Sequence, residues 1–137
     1  MPQLQNETVI YSIINENQPR GELPIAPTFL GHLTENGRVI GFLLEKAEGT
    51  SAAIEDLPKC EKVLGQLHDM GLIHGDVNRY NFIVNRSNGH VRMVDFEHAK
   101  PFDEEQARLE LESLTSELVE DTGRGGPTRV VEMVASA

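Results

Sequence analysis

Apolar and polar positions fall into blocks whose period changes along the chain, and each change predicts an element. Val9, Ile10, Ile13 and Ile14 recur at three- and four-residue steps after Asn6, a good helix-capping residue. A short helix is expected over 6–14, with a strand as the alternative because those apolar residues are all β-branched. Pro19, Gly21, Pro24 and Pro27 then punctuate a loop. Two apolar runs, 28–33 and 38–45, flank Asn36-Gly37, a strong hairpin-turn signal. From 56 to 70 the stripe Leu57, Cys60, Val63, Leu64, Leu67 and Met70 predicts the most regular helix. Asp56 is its candidate N-cap, Pro58 suits its first turn, and Gly71 suits the position after its end.

A second hairpin is expected from 82–84 and 91–94, turned at Asn88-Gly89. Pro101 breaks the chain, and Asp103 with Gln106 three residues later predicts the start of a last helix. Its apolar stripe reads Ala107, Leu111, Leu114 and Leu118, and its many glutamates are expected to form a solvated face. The stretch 121–128 is polar and rich in glycine. No Lys-Ser or Lys-Thr follows those glycines, so 122–137 is expected to be a flexible tail rather than a phosphate loop.

With 137 residues, one domain is expected, over 1–121. The formal net charge of −10 disfavours nucleic acid and anionic membrane surfaces as partners, but not nucleotide, whose charge a divalent cation can balance. Cys60 is the only cysteine, which excludes an internal disulfide and a cysteine-rich zinc site. Its place in the helical stripe suits a small buried hydrophobe better than a reactive thiol. The N-terminus has neither a basic start nor a long apolar run, so a cytoplasmic, reducing setting is expected.

The candidate chemistry lies between His68 and His98. Asp76 precedes Asn81 by five residues, and Asp95 follows Asn81 by fourteen, each at the end of an apolar run. An aspartate at 76 can accept the proton of an attacking hydroxyl. The amide oxygen of Asn81 and the carboxylate of Asp95 are hard ligands suited to Mg²⁺. In these motifs the chain resembles the protein-kinase-like superfamily, whose catalytic loop and metal-binding aspartate have this spacing. Gly75 in place of arginine, and Glu97 in place of the glycine of Asp-Phe-Gly, look like the aminoglycoside phosphotransferase and choline kinase branch. Small fungal kinase-like proteins of that branch are the nearest likeness.

The resemblance implies an α+β fold, with a partial small lobe of one helix and a β-hairpin, and a minimal helical large lobe carrying the catalytic-loop hairpin. It implies ATP and Mg²⁺ as cofactors, Asp76 and Asn81 as catalytic residues, and Asn81 and Asp95 as metal ligands. A hinge is implied near 45–49, where the carbonyl of Glu45 and the amide of Ala47 would meet adenine; the residues alone read equally as a plain loop. The resemblance also places a glutamate near Glu7, paired with a lysine on a preceding strand, and a Gly-rich phosphate loop before that. The sequence contains neither, so a shortened copy of the fold is expected.

The short spacing from Asp95 to Asp103 leaves no room for a long activation loop, which favours a small hydroxylated substrate over a peptide. His74 reads as a buried structural element or as an acid–base group, and Arg79 as a phosphate ligand or the partner of a nearby acid. The reading is an ATP-dependent phosphotransferase. Its rivals are a catalytically silent pseudokinase-type module that binds a protein partner, a truncated gene product, and a metal-dependent hydrolase using Asp76 and Asp95.

Overall fold

The computed structural model describes residues 2–18, 21 and 23–120, with side chains from Glu7 onward. The tail expected over 122–137 lies outside the described residues. The class is α+β: three helices and small antiparallel sheets.

Helix α1 (Pro2–Asn17) settles the choice between helix and strand at the N-terminal end. It is longer than the spacing suggested and starts at a proline, whose fixed φ suits a first helical position. Asn6 therefore lies inside it rather than capping it. The helical period puts Ile10, Tyr11 and Ile14 on one buried face. The Tyr11 ring meets Phe96 edge-on at 5.2 Å and Phe42 at 6.0 Å, which ties α1 to the first hairpin and to the segment that follows Asp95.

Strands β1 (Phe29–Glu35) and β2 (Arg38–Leu44) pair antiparallel across Asn36-Gly37, both at positive φ as a tight hairpin turn requires. The side facing α1 carries Phe29, Phe42 and Leu44 into the core, while Leu30, Leu33, Val39 and Ile40 stay exposed. From β2 the chain passes through 45–49 into β3 (Thr50–Ser51). There the Glu45 amide donates to the Thr28 carbonyl at 2.8 Å, and its carboxylate pairs with Arg92 at 3.1 Å. Strand β3 joins β5 (Phe82–Val84) and β6 (Val91–Met93) in the order β3-β5-β6.

Helix α2 (Leu57–Asp69) buries Cys60, Val63, Leu64, Leu67 and His68. Burial, with the neighbouring Asp56 carboxylate, pushes the Cys60 thiol up to about 12, which makes it an inert core atom. Asp56 does not cap α2 with its side chain. Its carboxylate accepts from the Ala53 amide at 2.8 Å, closing the 3₁₀ turn 54–56, and binds Arg86 at 3.1 Å. A residue already inside a tight turn cannot aim its oxygen at the next helix. Gly71, at φ 88°, ends α2 as expected.

Beyond it, β4 (Leu72–Ile73) pairs with β7 (Lys100–Pro101), a bridge the residue pattern did not suggest because each strand is two residues long. Helix α3 (Glu104–Val119) opens on Asp103, whose Oδ2 accepts from the Gln106 amide at 2.9 Å. Its inward face carries Ala107, Leu114 and Leu118, but Leu111 is 37% exposed. The position it was expected to hold belongs to Glu110.

Candidate phosphotransfer site

The loop after β4 holds the candidate residues, and its backbone dictates their placement. Gly75 sits at φ 87°, and a Cβ there would collide with the carbonyl of His98. Only glycine fits that approach. The His74 ring is buried below it, against Phe96. Its Nε2 lies 2.9 Å from the Val94 carbonyl, and its Nδ1 accepts the Asp76 amide at 3.2 Å. A carbonyl can only accept and an amide can only donate, so the ring is neutral with its proton on Nε2. Burial drives its pKa below the ordinary 6.5, against the opposing pull of the Val94 bond and the carboxylates of Glu110, Asp95 and Asp76. This geometry supports the structural reading of His74. The ring bridges the Asp76 loop to the residue preceding Asp95.

Asn78 and Asn81 converge on Asp76. The Asn78 carboxamide caps a single 3₁₀ turn at 79–81, accepting the Tyr80 amide at 2.9 Å, and its Nδ2 reaches the Asp76 carbonyl at 3.3 Å. The Asn81 Nδ2 donates to the Asp76 carbonyl at 2.8 Å and approaches the carboxylate at 3.4 Å. The Asn81 carbonyl accepts the Val94 amide at 2.9 Å, which closes the end of the β5–β6 hairpin beside Asp95. Asp95 is buried and adopts φ 64°, a left-handed conformation uncommon outside glycine, asparagine and aspartate. Such an outlier invites a functional reading, because the surrounding contacts must hold it there.

Two residues stand apart from what the sequence suggested. The Arg79 guanidinium, expected on a phosphate or an acid, donates to the carbonyls of Ala52 at 3.1 Å and Glu120 at 2.7 Å. Glu110, expected on a solvated face, has a side chain only 11% exposed. Its Oε1 accepts from His68 Nε2 at 2.9 Å and the His74 amide at 3.2 Å, and its Oε2 accepts the Gly75 amide at 2.6 Å. Burial alone would raise its pKa. The His68 bond and the two amides outweigh burial and hold the carboxyl below its ordinary range. One signal of this role was present: Glu110 lies three residues after Ala107 and four before Leu114, on the buried stripe itself.

Among the described residues no three His, Cys, Asp or Glu side chains form a metal-holding group, and no helix is long and apolar enough to cross a membrane.

A helix delivering a polar loop, followed by a hairpin ending in an aspartate, is the arrangement of the protein-kinase-like superfamily. Within it, the RIO domain matches residues 44–125, more than half of the chain, and the chain belongs to that family. The match covers α2, the Asp76 loop, the β5–β6 hairpin and α3, and begins where β2 ends. No curated protein gives a match to the chain.

Proposed function

We propose that the loop 74–81 and Asp95 form a phosphotransferase centre. The observation that carries this reading is the hydrogen-bonded cluster in which Asn81 binds Asp76 and His74 ties that loop to the residue before Asp95. In this reading Asp76 takes the proton of an acceptor hydroxyl as its oxygen attacks the γ-phosphorus of ATP. The bond from that phosphorus to the bridging oxygen breaks, and the electron pair leaves with ADP. Asn78 and Asn81 hold Asp76 in place through its carbonyl, so its carboxylate enters the reaction already oriented. The Asn81 amide oxygen and Asp95 would hold Mg²⁺, which would offset phosphate charge. Glu45 and Ala47 would meet adenine at the hinge. A small hydroxylated acceptor fits the short spacing from Asp95 to Asp103 and the likeness of Gly75 and Glu97 to the aminoglycoside phosphotransferase and choline kinase branch.

A second reading, a pseudokinase-type module binding a protein partner, is favoured by the apolar residues left exposed on β1 and β2.

Thermal melting with Mg²⁺ tests the centre. A divalent cation held by the Asp95 carboxylate should stabilise the fold by linkage to the folded state. At about ten times its Kd the gain is about 1.4 kcal/mol, or roughly 3–6 °C for a chain of this size. In Asp95→Asn the gain should vanish. Asparagine tolerates positive φ, so the variant removes the anionic charge of the ligand without adding backbone strain. An undiminished Mg²⁺ effect in Asp95→Asn would end the metal assignment.

A further inference from the structure

A second cavity lies at the opposite end of the β5–β6 hairpin from Asp76. There the Asn88-Gly89 turn, the outer face of α2 and the segment at Leu23–Pro24 enclose about 320 Å³. That volume is at the lower end of the range for small-molecule sites, about 300–1,000 Å³. Its walls are fixed by hydrogen bonds. The Leu23 carbonyl accepts from Gln18 at 3.0 Å, the Pro24 carbonyl meets His90 Nε2 at 2.6 Å, and the Ile25 carbonyl accepts from the Met93 amide at 2.7 Å. Across the mouth, Lys59 Nζ donates to the Gly89 carbonyl at 3.0 Å. A site built this way exists before any ligand arrives, so little ordering cost falls on binding.

The lining has a charge opposite to that of the chain. The sequence carries 22 acidic against 12 basic residues, yet among the described residues no carboxylate lines this cavity, while Lys59 and Lys62 do. The two lysines are one helical turn apart on α2, so their ammonium groups share one rim. Lys59 uses one of its three donors on Gly89. The floor is apolar: Val63 and Val91 are buried there, and Leu23 stands at the mouth 66% exposed. A cationic rim over an apolar floor matches a molecule with an anionic head and an apolar body.

We propose that this cavity binds a small organic anion, its phosphate or carboxylate head on Lys59 and Lys62 and its apolar body against Leu23 and Val63. The site is independent of the phosphotransfer centre. The test is an amide chemical-shift titration of the 137-residue chain at neutral pH and low salt with phenyl phosphate and, separately, benzoate. Saturable shifts are expected at Lys62, Val63, Gly89 and His90, and the tighter of the two probes names the head group. Inorganic phosphate and benzyl alcohol, each supplying half the recognition, should bind about tenfold more weakly or worse. The double variant Lys59→Glu, Lys62→Glu should lose at least about tenfold in affinity, and Asp76→Asn none. Leu23→Ser, at an exposed position, should weaken both probes alike. The proposal is overturned by the absence of saturable shifts at those four amides up to about 10 mM probe. Unchanged affinity in the lysine double variant, or shifts confined to 74–81, would overturn it equally.

Discussion

The hairpin that carries Asp95 and the hairpin before it share a turn signal and an antiparallel register, yet they are held in different ways. The β5–β6 hairpin is enclosed. Strand β3 flanks it, α2 covers one face, and Arg86 from its turn reaches Thr50, Ser51 and Asp56 at 2.9–3.1 Å. The β1–β2 hairpin is a two-stranded sheet with one face on α1 and apolar residues on the other. The RIO match includes the first and stops short of the second. A strand pair becomes a rigid platform when neighbours take up its outer face and polar bonds tie its ends. The same pairing without them forms a surface.

The sharpest way to break the enclosed half is Glu110→Ala. It leaves the His74 and Gly75 amides and the His68 imidazole without their acceptor, a loss on the order of 3 kcal/mol. Denaturant unfolding should show it, and hydrogen exchange should quicken at the His74 and Gly75 amides while that at Phe42 stays unchanged in relative order. Equal loosening of both hairpins would mean that the carboxylate has no local role.

Acid should act next, through the two groups whose folded and unfolded proton affinities differ. His74 is held below its ordinary 6.5, so the unfolded chain takes up its proton first and stability falls as pH drops below that value. Glu110 is held below its ordinary 4.5, so its contribution is complete above that value and is lost as pH falls through the folded one. A stability–pH curve should therefore descend in two stages, and Glu110→Gln should remove the lower one. A curve that stays flat as pH falls below 6.5 would contradict the His74 assignment, and one that stays flat below 4.5 the Glu110 assignment.

The smallest effect belongs to the open half. Val39→Thr and Ile40→Thr, at positions 45% and 48% exposed, should change stability by less than about 0.5 kcal/mol. A loss well above this would show that the outer face is covered in solution, which size-exclusion chromatography can then test.

What could be read from the residues was what depends on period and turn chemistry. The stripe from Leu57 to Met70 is α2, Asn36-Gly37 turns the first hairpin, and Asn88-Gly89 lies within the longer loop 86–89 of the second, because these signals act between near neighbours. The Asp76, Asn81 and Asp95 spacing was visible for the same reason: one loop and one hairpin set it. Glu110 was not. Five glutamates crowd α3, and only the docking of α3 beside β4 decides which of them turns inward. Arg79 misled in a similar way, since its carbonyl partners at Ala52 and Glu120 lie far from it in sequence.

The bonds from Glu110 to the loop span 35 and 36 residues. During synthesis the ribosome therefore releases Asp76 well before the side chain that fixes its loop. Until α3 emerges, two backbone amides at the centre of the site can bond only to water. Closure of the site is thus a late event on the ribosome, and a chain stalled between β7 and α3 would carry every residue of the Asp76–Asp95 cluster with its loop unfastened.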